Sequence, residues 1–127
     1  MTQAKTLMVV DDDRQVLRYL TETLREEGYN TVACERYQDA KGMIGSARPD
    51  LLVTDIRLGA YNGLQLALYA QNRYPGIPVI VLTGYEDPTL REEASKSGAT
   101  FLVKPVRREM LLKTIADRLA QGLGAGG

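Results

Sequence analysis

Five short apolar runs recur along the chain, separated by stretches of polar and mixed character. They are rich in Val, Leu and Ile, which is typical of strands buried on both faces of a parallel sheet. The runs cover residues 7–10, 31–34, 51–54, 79–82 and 101–103. The pattern therefore predicts five buried strands.

Segments with helical periodicity separate these runs. Apolar side chains recur three or four positions apart, as expected of helices with one buried face. These positions are Val16, Leu17, Leu20 and Leu24; Leu64, Ala67 and Leu68; and Leu111, Ile115 and Leu119. Gly28 and Gly98 fall where a helix would end in a left-handed residue, and Asp87-Pro88 supplies a cap followed by a first helical proline.

Alternation of strand and helix predicts an α/β fold with a doubly wound parallel sheet, because right-handed crossovers place helices on both faces. With the strand order 2-1-3-4-5, a crevice opens at the carboxyl ends of the first and third strands. Residues 1–121 form the predicted domain. Residues 122–127, of which four are glycine, are predicted to be a flexible tail or the start of a linker.

Composition narrows the classes of function. The 16 basic and 16 acidic side chains cancel, so the overall charge favours neither nucleic acid nor an anionic membrane surface as a partner. Cys34 is the single cysteine, and no apolar run approaches the roughly 18 to 20 residues of a membrane span. We expect a cytoplasmic protein that binds neither nucleic acid nor membrane directly.

Polar side chains stand at the carboxyl ends of four of the five predicted strands. They are Asp11, Asp12, Asp55, Thr83 and Lys104. Because the first and third strands are neighbours, the three carboxylates should converge and repel one another by several kcal/mol, on the order given by Coulomb's law. Oxygen ligands without His or Cys favour Mg²⁺ or Mn²⁺ as the ion that relieves this repulsion.

Each of these residues also has a simpler interpretation. An acidic run can cap a helix, which is the role we expect of Asp13. Asp55 could form a turn, Lys104 could be a solvated loop charge, and Thr83 could be a strand residue of good β-propensity. These interpretations are plausible one at a time, but they leave the joint pattern unexplained.

The segments VVDDD, LLVTDIRL, VIVLTGY and FLVKP together resemble the receiver domain of two-component response regulators, over about residues 5–120. This family includes the single-domain chemotaxis regulator. The resemblance implies a flavodoxin-like (βα)5 fold and Mg²⁺-dependent phosphotransfer to Asp55 from a sensor histidine kinase or a histidine phosphotransfer protein. It also implies that Asp12 binds the metal directly, Asp11 partly through water, and Arg57 through its backbone carbonyl.

The resemblance further implies how phosphorylation changes the surface that binds a partner. Lys104 and Thr83 would contact the phosphoryl group, Thr83 and Phe101 would act as switch residues, and Pro105 could follow a cis peptide. The face of the fourth helix, fifth strand and fifth helix would then bind a downstream protein, an output domain or a second copy. Such a phosphoprotein is not an enzyme beyond self-directed phosphotransfer and autodephosphorylation.

The chain departs from the family pattern beside the acceptor. Gly59 stands where a proline commonly follows the acceptor by four positions, so we expect a more mobile loop. Arg57 and Tyr85 occupy two variable positions at which bulky side chains are expected to slow hydrolysis of the phosphoaspartate.

Other functions remain open. A metal-dependent phosphatase with an Asp nucleophile would need a second acid where Arg57 stands, and a nucleotide or flavin binder would need a glycine-rich turn after the first strand. An interaction module independent of phosphorylation is a further alternative. The chain could work alone or as the receiver of a longer protein. Near Arg14, Gln15 and Arg18 the first helix presents either a kinase-docking surface or a solvated charged face.

Overall fold

A computed structural model describes residues 3–84 and 88–126, apart from the side chains of residues 90, 91, 94 and 122–126. Seven strands and five helices lie in these ranges. In chain order they are β1 (Thr6–Val10), α1 (Arg14–Glu26), β2 (Asn30–Cys34), α2 (Tyr37–Ser46), β3 (Leu51–Asp55), β4 (Arg57–Leu58), β5 (Tyr61–Asn62), α3 (Gly63–Arg73), β6 (Val79–Thr83), α4 (Pro88–Lys96), β7 (Thr100–Val103) and α5 (Arg108–Gly126).

Five strands form one parallel sheet in the order β2-β1-β3-β6-β7. The short strands β4 and β5 pair only with each other, in an antiparallel hairpin between β3 and α3. Counting the strands of the large sheet alone gives the order 2-1-3-4-5. The predicted doubly wound, flavodoxin-like fold is therefore confirmed, with the hairpin as an addition that the sequence pattern did not indicate.

Two apolar layers cover the sheet. Alternate side chains of β1 divide between them, since successive strand residues point to opposite faces. Leu7 and Val9 pack with the buried faces of α1 and α5, while Met8 and Val10 pack with α2 and α3. The central strands β1, β3 and β6 are buried, but β2 and β7 are largely half-exposed because each has a partner on one side only. The prediction of five buried strands is wrong for these two edges.

The predicted helical faces are mostly observed. Leu17, Leu20 and Leu24 of α1 are buried, as are Leu111 and Ile115 of α5.

The predicted face of α3 is partly wrong, because Leu68 is 50% exposed while Leu66 is fully buried. Leu66, Ala67 and Ala70 form the buried stripe of this helix. Leu68 lies about 200° around the helix axis from Leu66 and so faces away from the core.

The predicted helix ends that the structure describes lie at the expected glycine and proline positions. Gly28 and Gly98 have φ of 94° and 81°, and Pro88 begins α4, whereas the predicted cap Asp87 lies outside the described residues. Helix α5 continues to Gly126, so helical backbone covers most of the predicted tail, and the division at residue 121 stays a prediction. None of the helices in the described ranges combines the length and apolar character that a membrane span requires.

Candidate functional site

The carboxyl edge of the sheet gathers the polar residues that follow its strands. Asp55 is the last residue of β3, and Asp11 follows the neighbouring strand β1, which ends at the same level. Thr83 ends β6 on the other side of β3, and Lys104 follows β7. The parallel arrangement therefore brings these four side chains to one edge, with Asp12 beside them.

Three carboxylates form a compact cluster at this edge. One oxygen from each of Asp11, Asp12 and Asp55 lies within 4.8 Å of the other two. Asp11 is fully buried and Asp55 is 7% exposed, whereas Asp12 is exposed. Burial weakens the screening of like charges by water, so the cluster favours a cation among its oxygens. A hard divalent ion such as Mg²⁺ suits this donor set.

Lys104 supplies the positive charge that the described structure places against this cluster. Its Nζ lies 2.9 Å from Asp11 Oδ2 and 3.4 Å from Asp55 Oδ1. The Lys104 backbone N–H donates to the Thr83 carbonyl at 2.6 Å, and the peptide bond to Pro105 is cis. One ammonium among three carboxylates leaves excess negative charge for a divalent cation to offset.

The environment shifts the pKa of both Asp55 and Lys104 upward. Burial raises the pKa of Asp55, and the charge of Asp11 raises it further, while Lys104 lowers it in part. Burial alone would lower the pKa of Lys104, but its hydrogen bond to Asp11 and the charges of Asp11 and Asp55 outweigh burial and raise it. Lys104 therefore stays cationic, and ionisation of Asp55 is less favourable here than for an aspartate in water.

The acidic run after β1 divides its hydrogen bonds among different tasks. Asp11 Oδ1 accepts the Asp13 N–H at 2.9 Å and Asp11 Oδ2 accepts from Lys104, so both of its oxygens are engaged. Asp13 Oδ1 accepts the backbone N–H groups of Gln15 and Val16, which confirms its predicted role as the cap of α1. Asp12 Oδ2 accepts the N–H of Gly59 at 3.2 Å.

The loop after Asp55 makes contacts that the sequence did not indicate. It folds as the β4–β5 hairpin, with Gly59 at φ 63° in its turn. The Tyr61 ring stacks on Tyr37 of α2, with centroids 4.5 Å apart and planes 4° from parallel. Gln38 Nε2 donates to the Tyr61 hydroxyl at 3.0 Å.

Sequence reasoning missed both tyrosines. They lie far apart in the chain, and only the placement of α2 beside the hairpin brings their rings together. Neither residue belongs to an apolar period or to a motif that could have identified it.

Helix α3 begins close behind Asp55, at the end of β3. The Gly63 N–H donates to the Ile56 carbonyl at 2.6 Å. A Cβ at Gly63 would overlap the Asp55 carbonyl oxygen and lie 2.9 Å from the Asp55 carbonyl carbon. Asn62 caps the helix in a capping box with Gln65, so the short connection from Asp55 to α3 is tightly specified.

The remaining predicted residues lie around this centre. Thr83 is 2% exposed at the end of β6, and Phe101 is partly buried against the core layer that contains Val81. The Arg57 side chain is exposed in β4, and Tyr85 lies outside the described residues. Their expected roles in metal binding, switching and hydrolysis stay predictions.

Comparisons with known sequences identify relatives along nearly the whole chain. The sequence model of the response regulator receiver domain matches residues 7–116. Transcriptional regulatory protein GlrR of Escherichia coli K12 is 34% identical over 120 residues, which are 94% of this chain and 27% of that protein. The DNA-binding transcriptional regulator NtrC of Proteus hauseri is 34% identical over 104 residues, which are 81% of this chain and 22% of that protein. The chain thus spans about a quarter of the length of these relatives.

Solved structures show the same architecture. A CheY-like receiver domain from Methanospirillum hungatei superposes with a TM-score of 0.92 and 27% identity, covering 96% of this chain and 98% of that one. The beryllofluoride-activated NtrC4 receiver domain dimer gives a TM-score of 0.86 at 28% identity, covering 92% of this chain and 98% of that one.

Proposed function

This chain belongs to the response regulator receiver domain family of two-component signalling proteins, and from that membership we propose that Asp55 accepts a phosphoryl group from a sensor histidine kinase or a histidine phosphotransfer protein. The observation that supports the proposal is the convergence of Asp11, Asp12 and Asp55 beside the Lys104 ammonium. Asp55 offers a carboxylate to be phosphorylated, Lys104 offers positive charge to stabilise the phosphoryl group, and the three carboxylates offer ligands for a cation.

The donor set suggests a division of roles at the metal. Asp12 and Asp55 would be direct ligands of Mg²⁺ or Mn²⁺, and the Arg57 carbonyl would be a further ligand. Asp11, whose two oxygens already accept hydrogen bonds, would act partly through water. A bound divalent cation would offset negative charge on the phosphoryl oxygens during transfer.

The chain's own residues supply the rest of the chemistry. An Asp55 carboxylate oxygen forms the bond to phosphorus as the bond from phosphorus to the donor histidine nitrogen breaks. The Lys104 ammonium, 3.4 Å from Asp55 Oδ1, offsets charge on the transferring group. The Thr83 hydroxyl would donate a hydrogen bond to a phosphoryl oxygen once it arrives. Positioning and charge compensation are the main requirements of such a transfer.

Two surfaces are proposed to bind partners, one on α1 and one formed by α4, β7 and α5. Arg14 and Arg18 of α1 are exposed, and each is paired with an acidic side chain at 3.0 Å, Arg14 with Glu35 and Arg18 with Glu22. A docking kinase would have to compete with these pairs, which contribute little when exposed. The face of α4, β7 and α5 is the proposed contact for a downstream protein, an output domain or a second copy of the chain.

Phosphorylation with a small donor tests the proposal. The protein is incubated with acetyl phosphate, with and without Mg²⁺, and its intact mass is measured. We expect a single phosphoryl adduct that requires the metal and is lost in Asp55→Asn. Asp13→Asn is the matched control, because Asn also caps a helix and the adduct should persist. Absence of an adduct in the wild type, or an equal adduct in Asp55→Asn, would contradict the proposal.

A further inference from the structure

Core and surface contacts together hold the β4–β5 hairpin. Leu58 of β4 is buried with side chains of α2 and α3, whereas β5 meets α2 through an aromatic contact. Tyr61 of β5 stacks on Tyr37, at the start of α2, and its hydroxyl accepts from Gln38. Tyr61 is 43% exposed, so this contact is not part of the main core. Such near-parallel stacking stabilises a pair beyond simple burial of area.

The same hairpin reaches into the acidic cluster. The Gly59 N–H, in the turn between β4 and β5, donates to Asp12 Oδ2 at 3.2 Å. Arg57, whose carbonyl is a proposed metal ligand, lies in β4 and pairs with Asn62 of β5. Displacing the hairpin would therefore move a hydrogen-bond donor of one proposed ligand and the backbone of another.

We propose that the Tyr37–Tyr61 stack is a positioning device that sets the affinity of the acidic cluster for a divalent cation. It holds the hairpin so that Gly59 fixes the orientation of the Asp12 carboxylate. The inference rests on the proposed function, because it takes the cluster as a cation site. Tyr37 and Tyr61 are positioning residues, since neither touches the cluster itself.

The exposure of Asp12 favours an effect of the stack on cation binding over an effect on hairpin stability alone. Asp12 is exposed, and burial does not restrict its rotamers as it does those of Asp11. A ligand that must be ordered on binding weakens affinity, because the lost side-chain entropy opposes the association. Gly59 has no side chain that could anchor the turn, so its neighbours hold it in place. Buried Leu58 fixes the β4 side, and Tyr61 fixes the β5 side through its stack on Tyr37.

Variants of Tyr61 test the proposal with little disturbance of the core, because the side chain is partly exposed. Tyr61→Ala removes the ring, whereas Tyr61→Phe keeps the ring and loses only the hydroxyl bond from Gln38. Gln38→Ala removes that bond from the other side. Tyr29→Ala is the matched control, because Tyr29 directly precedes β2 and so lies at the amino edge of the sheet, opposite the cluster.

Backbone amide NMR spectra of each variant are followed during titration with MgCl₂. We expect Tyr61→Ala to weaken Mg²⁺ binding by about two- to tenfold, the range that corresponds to the loss of one aromatic pair. The affinities of Tyr61→Phe and Gln38→Ala should lie between those of Tyr61→Ala and the wild type, and Tyr29→Ala should match the wild type. The Gly59 amide should already shift in metal-free Tyr61→Ala, because its hydrogen bond to Asp12 is lost.

The outcomes separate this inference from the proposed function. If the wild type binds Mg²⁺ and Tyr61→Ala and Gln38→Ala bind it equally well, the inference is overturned while the cation site stands. If the wild type shows no Mg²⁺ binding, both are overturned. A loss of affinity in Tyr29→Ala as large as that in Tyr61→Ala would also overturn the inference, since the effect would then be general destabilisation.

Discussion

At the scale of single residues, the ionised carboxylate of Asp55 that the proposed function uses also lowers the stability of the fold. Burial and the neighbouring Asp11 raise the pKa of Asp55, so ionised Asp55 is less favourable in the folded than in the unfolded chain. Replacing Asp55 with Asn removes that charge and keeps the shape. We expect Asp55→Asn to unfold several degrees higher than the wild type at pH 7 without divalent ions, since about 1 kcal/mol corresponds to roughly 3 to 5 °C at this size.

The pH dependence of this gain follows from the direction of the shift. Because the folded-state pKa of Asp55 is raised, the cost of ionisation grows as pH rises from the unfolded pKa through the folded pKa. The increase in unfolding temperature caused by Asp55→Asn should be complete at pH values above the folded pKa and absent at pH values below the unfolded pKa. Calorimetric unfolding at a series of pH values, with Asp13→Asn as the control, measures it. A gain that increases toward acid pH would contradict the assignment, and Mg²⁺ should narrow the difference by stabilising the wild type.

The sequence predicted the residues at strand ends because their position depends only on topology. Once the strands are parallel and ordered, Asp11, Asp55 and Lys104 must reach the same edge. Tyr37 and Tyr61 could not be predicted in this way. Their contact depends on the angle at which α2 lies beside a hairpin, and neither hydrophobic period nor residue type encodes that angle.

At the scale of elements, the junction between β3 and α3 depends on the absence of a side chain at Gly63. A Cβ there would overlap the Asp55 carbonyl oxygen, so α3 would have to move away from the strand. We expect Gly63→Ala to destabilise the fold by about 1 to 3 kcal/mol, the usual cost of overpacking. The displaced Asp55 should also accept phosphate more slowly, which an acetyl phosphate time course would measure.

Gly42 provides the matched control for this prediction. It lies within α2, and a Cβ there would meet nothing within 4 Å. Gly42→Ala should therefore stabilise the protein by about 0.5 to 1 kcal/mol through helix propensity. Equal effects of the two substitutions in chemical denaturation would show that the Gly63 contact does not constrain the junction.

Elements were predictable to the extent that their burial was periodic. The central strands and the buried faces of α1 and α5 follow the hydrophobic pattern. The edge strands β2 and β7 are also apolar but lie half-exposed, because each has a neighbouring strand on one side only. Residue composition does not show which strands lie at the edges of a sheet. The phase of α3 was misassigned at Leu68. Leu66 and Leu68 are both apolar, and residue type alone does not show which of them faces the core.

At the scale of the whole molecule, the site and the proposed output face share the strands β6 and β7. Val81 and Phe101 are paired in register, and the Phe101 side chain packs against the layer that contains Val81. Since Thr83 is two residues after Val81, its side chain lies on the same face of the sheet. If Thr83 moves toward a phosphorylated Asp55, we therefore expect the space on the face that Phe101 occupies to change.

This arrangement needs only a modest energy to act as a switch. Raising a minor conformation from about a tenth to about half of the molecules requires roughly 1.3 kcal/mol of differential affinity for the phosphoryl group. One hydrogen bond from the Thr83 hydroxyl, made only in the phosphorylated state, is of this size. Phosphorylation can thus shift the population without remodelling the two core layers.

Amide hydrogen exchange with a phosphoryl mimic tests the switch over the whole chain. With Mg²⁺ and beryllofluoride, we expect exchange to change within residues 84–108 and to stay constant in β1 and α1 beyond the acidic run. Thr83→Ala should still bind the mimic but lose the distant change, because the side chain that couples Asp55 to Phe101 is gone. If Thr83→Ala shows the same distant change as the wild type, the coupling does not pass through Thr83. No change around residues 84–108 in the wild type would exclude this output face.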